Sequence, residues 1–185
     1  MNNKLNCIIV DLDNCLINST KRHENYTKSD GKLDFDNLHN GILKFDLFDK
    51  VMREMVMSID KNLIDKVFFL SGRNEKARKN TMKHLRFDYE FNYTILECNN
   101  FLKHELILRS IDDYRTSFDY KIEHLQKIKE EYNIVWYADD DLSCIMAAKD
   151  LNIKAIWYEA NSSCSYAHDN FKKYIDKKTL EFLSI

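Results

Sequence analysis

Apolar and polar positions fall in alternating blocks along the 185-residue chain. Five short apolar runs, rich in β-branched and aromatic residues, occupy 7–10, 67–70, 93–96, 134–138 and 155–158. Each has strand length and no clean alternation, as expected for strands buried on both faces of a parallel sheet. Helix-period segments lie between them. The segment 43–59 places Phe45, Phe48, Val51, Met52, Met55 and Ile59 on one stripe, and 119–132 does the same with Ile122, Leu125, Ile128 and Tyr132. Further helices are predicted over 75–86, 142–151 and 168–182. Strands alternating with helices predict an α/β fold, a three-layer α/β/α Rossmannoid sandwich around a parallel sheet. The stretch 18–40 is polar and turn-rich, with Lys21, Arg22, His23, Asp30, Gly31, Asn40 and Gly41. A long irregular segment after a strand is often a lid or binding loop. The expectation is one domain over 1–185 with an insertion at about 14–45.

Composition narrows the function. Hydrophobic residues make up 44% and charged residues 31%, a soluble globular profile. The formal charge of −2 carries no global polyanion signature, so nucleic-acid contact would need a local basic patch. No apolar stretch approaches the ~20 residues of a membrane span, and the N-terminal run is too short for a signal peptide. Five cysteines, an odd number with no C-x-x-C pair, imply neither a zinc site nor a disulfide framework; a reducing, cytoplasmic setting is expected. Proline is absent and glycine occurs only at Gly31, Gly41 and Gly72, which excludes a Walker A loop and a G-x-G-x-x-G fingerprint.

The chemistry lies at strand ends. The run at 7–10 leads into Asp11-Leu12-Asp13, the run at 67–70 into Ser71-Gly72-Arg73, and the run at 134–138 into Asp139-Asp140-Asp141. Open parallel sheets bind ligands beyond the carboxyl ends of their strands. Clustered carboxylates repel one another unless a cation joins them, and hard oxygen ligands favour Mg²⁺. The predicted metal ligands are Asp11, the Asp13 backbone carbonyl, and one or both of Asp139 and Asp140. Asp141 is a candidate N-cap of the helix that follows. Singly, each acid reads more readily as a turn or N-cap residue; the convergence carries the argument.

These segments together resemble the haloacid-dehalogenase (HAD) superfamily. IIVDLDNCLIN matches its DxD motif, FFLSGR its second motif, the lysine of SFDYKIEHLQKI its third and VWYADDD its acidic pair. The resemblance implies a HAD-like fold and a phosphatase. Asp11 would be the nucleophile that forms an aspartyl-phosphate, and Asp13 the general acid/base. Ser71 would donate to the phosphoryl group and Lys121 would neutralise it, with Lys103 a weaker alternative. The lysine in an early helical turn opposes the helix dipole, which points to an anion as its reason for being there. Many members have Gly then Thr after the second Asp, where this chain has Asn14 and Cys15. Asn tolerates the left-handed backbone, whereas a thiol is a poor substitute for the hydroxyl donor.

Within the superfamily, STKRHENY, SGRNEKARKNTMKHLR and IVWYADDDLSCIMAAKDLNIKAIWY resemble the 3′-phosphatase domain of phage-type polynucleotide kinase/phosphatases. That likeness implies nucleic-acid 3′-phosphate ends or nucleotides as substrate, with Gly72, Arg73, Arg22 and His23 as binding residues. Lys76, Arg78, Lys79, Lys83, His84 and Arg86 would add positive charge, and Tyr26, Phe35 and Tyr89 are candidates to stack on bases. The alternatives are a HAD phosphatase of small phosphate esters and an inactive HAD-fold binding module. A receiver-type phosphoacceptor is disfavoured, because the DxD comes first here and the acidic cluster late.

Overall fold

The computed structural model describes residues 4–35, 37–57, 59, 62–86 and 103–160. The predicted strand at 93–96, the predicted helix at 168–182, and Tyr89, Cys98 and Cys164 lie outside the described residues. A five-stranded sheet has the order β5-β4-β1-β6-β7, from β1 (Leu5–Val10), β4 (Lys66–Asn74), β5 (Lys103–Arg109), β6 (Tyr132–Asp139) and β7 (Ala155–Trp157). All its pairings are parallel. The chain builds outward from β1 to β4 and β5, then crosses to β6 and β7 on the other side. The crevice at the switch point therefore opens between the ends of β1 and β6.

Strand alternation divides the apolar residues between two cores. Ile8, Val10, Val67 and Phe69 pack with Met52 of α3 (Lys50–Met57) and Leu85 of α4 (Arg78–Arg86). Cys7, Ile9, Phe68 and Leu70 pack with Leu125 of α5 (Ser117–Glu131) and Ile145 of α6 (Leu142–Asp150). Both sheet faces are thus covered by helices, which is the predicted three-layer sandwich. Cys7, Cys15 and Cys144 are free and buried. Among the described residues, no helix is long and apolar enough to cross a membrane.

Two elements differ from expectation. The predicted helix over 43–59 is broken into α2 (Ile42–Phe45), β3 (Leu47–Phe48) and α3. Asp46 turns inward to meet Arg22 and Arg73. Asp49 accepts from Met52 N at 2.9 Å, and β3 pairs antiparallel with β2 (Ile17–Asn18). Buried acids that bind outside the helix thus override a stripe that fits helical spacing. The strand β5 was not predicted. Lys103, His104 and Glu105 are exposed while Leu106 and Leu108 are buried, the half-polar pattern of an edge strand.

The insertion after β1 folds into β2, α1 (Thr20–Asn25), a 3₁₀ turn at Leu38–Gly41, α2 and β3. Gly41 seals it: a Cβ there would lie 2.5 Å from Tyr26 Cε2, 3.0 Å from Arg22 Cγ and 3.1 Å from Phe45 Cδ2. Gly41→Ala is accordingly expected to destabilise the protein by about 1–3 kcal/mol through overpacking. Urea denaturation checks this; an unchanged midpoint would show that the ring and the arginine stem yield freely.

Candidate active site

The turn after β1 depends on Asn14, whose φ is 58°. Asn14 N donates to Ile17 O, Ile17 N donates to Leu12 O, and the Asn14 side chain accepts from Ser19 Oγ. The first two bonds straddle Asp13, whose own carbonyl takes neither. Asparagine therefore supplies the left-handed residue that the substitution for glycine required. The turn directs Asp11, which is 2% exposed, toward the crevice beside β6, where Asp11 N donates to Ala138 O at 2.9 Å.

Lys121 meets Asp11 there. Its Nζ lies 2.9 Å from Asp11 Oδ1 and 2.7 Å from Asp139 Oδ2, and the side chain is buried. The helix starts at Ser117, capped by the Thr116 side chain on Asp119 N. Lys121 is thus the fifth helical residue, beyond the first turn where the dipole argument applies. Its placement follows instead from two buried acids. Burial works against the ammonium charge, but Asp11 and Asp139 outweigh it and hold the lysine well above its ordinary range.

Asp139 is fully buried and heavily engaged. Oδ1 accepts from Asp141 N at 2.9 Å, and Oδ2 accepts from both Lys121 and the Tyr137 hydroxyl. Asp141 caps α6 through Ser143 N, as its position implied. Asp140 differs: it is half-buried, and among the described residues no side-chain donor reaches its carboxylate. Asp11, Asp139 and Asp140 each offer an oxygen within 4.8 Å of the others. An all-carboxylate donor set with unspent lone pairs on Asp140 fits a hard divalent cation.

The electrostatics agree. Burial, joined by Asp139 and Asp140, pushes Asp11 well above the usual carboxylate range against the pull of Lys121. Burial, then Asp139, raises Asp140 to about 7. A folded-state pKa above the unfolded value favours the fold at low pH, an advantage lost as pH rises through the folded value. The metal-free protein is therefore expected to melt at lower temperature as pH rises from about 5 to 8, with added Mg²⁺ flattening the slope. Differential scanning fluorimetry with and without EDTA checks this. A metal-free profile that stays flat through pH 7 would contradict the clustering.

Asp13 sits in a second assembly. Arg73 grips it with Nε at 2.8 Å and Nη2 at 2.6 Å, and Arg22 Nη2 reaches the same carboxylate. Asp46 closes the group, accepting from Arg22 Nε at 2.7 Å and Arg73 Nη2 at 2.8 Å. Arg73 Nη1 also donates to Thr81 Oγ1. Arg22 and Arg73 are 1% and 7% exposed. Burial alone would raise Asp13, but Arg73 and then Arg22 bring it below the usual carboxylate range. Burial raises Asp46 despite both arginines. Asp13 accepts three of the guanidinium bonds and is 23% exposed, whereas the Asp46 side chain accepts two and is 0% exposed.

The remaining expected site residues divide between the end of β4 that carries Arg73 and more distant positions. Ser71 is buried inside β4, with Oγ accepting from Arg73 N at 3.3 Å. Gly72 permits a close approach, since a Cβ there would meet Ser117 Oγ at 2.5 Å and the Arg109 guanidinium at 3.4 Å. His23 is half-buried, and burial holds it below its ordinary value despite Asp13. Lys103 stands exposed at the start of β5, in register with Lys66 at the end of the sheet opposite the acids, so it is no alternative to Lys121. The basic run expected on one helix divides: Arg73 belongs to β4 and is buried, as is His84 of α4, Arg78 pairs with Glu75 at 2.6 Å, and Lys76, Lys79, Lys83 and Arg86 lie on the surface. Tyr26 packs edge-on against Phe45, while Phe35 is 70% exposed. Sequence reasoning missed Asp46, Tyr137 and Arg109. None left a signal in the sequence: Asp46 falls off the apolar stripe of 43–59, where a helix would carry a solvated acid.

Solved structures share this architecture. A chain of the Pnkp1/Rnl/Hen1 RNA repair complex matches at a TM-score of 0.57 and 22% identity, over 82% of this chain and 42% of that one. A second structure of the Pnkp1/Rnl/Hen1 complex matches at 0.55 and 21%, over 85% and 45%. The present chain thus spans less than half the length of those proteins. A haloacid dehalogenase-like family hydrolase from Streptococcus pneumoniae matches at 0.53 and 13% identity, over 97% of both chains. No curated protein matches. The model of the HAD superfamily, subfamily IIIB (acid phosphatase), matches residues 1–162; with the Asp11, Lys121 and Asp139 geometry in the crevice, the chain belongs to that family of HAD phosphatases.

Proposed function

We propose that the protein is a Mg²⁺-dependent phosphomonoester hydrolase acting through an aspartyl-phosphate on Asp11, with nucleic-acid 3′-phosphate ends or nucleotides as substrates. The observation that carries this reading is Lys121 Nζ bridging Asp11 and Asp139 beside Asp140. Asp11, Asp139, Asp140 and the Asp13 carbonyl would hold the cation, which when bound supplies charge neutralisation between the acids and a phosphoryl oxygen.

Asp11 attacks phosphorus and the phosphorus–oxygen bond to the leaving group breaks. Lys121 stands beside the attacking oxygen, placed to balance charge on the phosphoryl group. Ser71, whose Oγ accepts from Arg73 N and keeps its own proton to give, would donate to it. Asp13 protonates the departing oxygen and then takes a proton from the water that hydrolyses the acyl phosphate. Its paired, ionised resting state suits the second step; the first requires that Asp13 leave its arginine partners and take up a proton from solvent, which the second step then returns to it. The insertion that carries Arg22 acts as the lid, touching the acid/base directly through that side chain.

Two observations bear on substrate. Lys79, Lys83 and Arg86 leave an exposed basic stripe on α4, and fold likeness to the RNA repair complex chain agrees with a nucleic-acid substrate. Against them, the arginines nearest the site are already paired with Asp13 and Asp46, which favours the second reading, a phosphatase of small esters. A panel of p-nitrophenyl phosphate, nucleoside 3′-monophosphates and 3′-phosphorylated DNA and RNA oligonucleotides, each with Mg²⁺ or EDTA, separates them. The expected result is Mg²⁺-dependent hydrolysis, with kcat/KM about 10-fold higher for oligonucleotides than mononucleotides at low salt, the advantage fading as salt rises. Equal rates would select the small-ester reading, and no hydrolysis of any ester would end the enzyme claim.

A further inference from the structure

We infer that Tyr137 is a positioning residue of the phosphoryl-transfer site, whose hydroxyl fixes the Asp139 carboxylate so that one oxygen holds Lys121 and the other faces the cation side. The inference rests on the phosphatase reading of that site. Tyr137 lies in β6, fully buried in the apolar cluster with Cys7, Ile9, Leu125 and Ile145. Phenylalanine would fill such a position equally well, so packing does not account for the hydroxyl. A buried phenol needs a partner, and here the partner is a site acid two residues along the strand.

The count of lone pairs shows what that bond does. A carboxylate oxygen offers about two acceptor sites. Asp139 Oδ2 spends both, on Lys121 Nζ at 2.7 Å and on the Tyr137 hydroxyl. Oδ1 spends one on Asp141 N at 2.9 Å. Three donors from three directions fix the rotation of the carboxylate plane. Oδ2 is committed to the lysine that bridges to Asp11, and only Oδ1 retains capacity toward Asp140. Without the phenol, Oδ2 regains a free lone pair and the carboxylate can turn it toward the cation, loosening its grip on Lys121.

Tyr137→Phe therefore moves two measurements in opposite directions. The expected result is a kcat on p-nitrophenyl phosphate about 10-fold lower, with Mg²⁺ binding about 3- to 5-fold tighter by isothermal titration calorimetry and the cooperative melt preserved. Unchanged kcat, or Mg²⁺ binding that is unchanged or weaker, would overturn the inference and leave Tyr137 a packing residue. Calorimetry needs no turnover. If the wild-type protein hydrolyses no ester, the phosphatase reading fails on its own, and the Mg²⁺ titration of Tyr137→Phe against wild type still decides whether the phenol restrains Asp139.

Discussion

Asp11→Asn is expected to abolish turnover while raising the stability of the metal-free protein. The amide is nearly isosteric but cannot attack phosphorus, so hydrolysis should fall by at least about 10⁴-fold, the scale of removing a covalent nucleophile. Stability responds through a separate cause. Asp11 is buried among Asp139 and Asp140, and burial and these charges push its pKa well above the ordinary range in spite of Lys121. Ionising it therefore costs folding free energy at neutral pH, and the neutral amide removes that cost, a gain of about 0.5–2 kcal/mol. Saturating Mg²⁺ should invert the order, because the wild-type cluster gains binding free energy that the variant largely lacks. Malachite-green phosphate release and thermal melts with EDTA or Mg²⁺ read the two effects. Retained turnover would remove Asp11 from the nucleophile's role. A metal-free variant less stable than wild type would mean that the ion pair with Lys121 outweighs the repulsion.

The acidic crevice is legible in the sequence because its parts are local. β1 and β6 are continuous apolar runs ending in Asp11 and Asp139, and a strand's end is where an α/β sheet places its ligands. Asn14 could be read as a left-handed residue from its side chain alone, and its φ of 58° agrees. Lys121 does reach Asp11 and Asp139, but not by the dipole argument: the helix begins earlier than its apolar period implies, because Thr116 caps it. What escaped prediction depends on partners far apart in sequence. Asp46 falls on the polar side of a segment whose apolar stripe satisfies helical spacing, and only the arrival of Arg22 and Arg73 explains why the helix stops there. β5 is the last strand of the sheet among the described residues; its first three residues are polar and exposed, and its run of buried positions is too sparse to stand out. In sequence, Arg22 and Arg73 read as basic residues near a phosphate site; their burial against acids becomes visible only when the insertion packs onto the sheet.

That packing leads to the second large effect, in the group Asp13, Arg22, Arg73 and Asp46. The native balance is two cations against two anions, each carboxylate touching both arginines. Arg73→Met leaves two buried acids on one guanidinium, and should cost about 3–5 kcal/mol, the penalty of an uncompensated buried charge. Asp46→Asn alone should also destabilise, since it strands the positive charge that Asp46 now offsets. Combined, the two substitutions restore one cation against one anion. The double variant is thus expected to be more stable than Arg73→Met alone, with a coupling free energy of about 2 kcal/mol or more. Activity should not follow that recovery: Asp13 would keep only the Arg22 contact, losing the two-pronged grip of Arg73 Nε and Nη2 that orients it. Urea denaturation of the four proteins gives the cycle, and kcat on an aryl phosphate gives the second reading. Additive stabilities would dissolve the group into independent ion pairs. Recovery of kcat together with stability would show that Arg73 serves the fold alone and that Asp13 needs no orienting partner beyond Arg22.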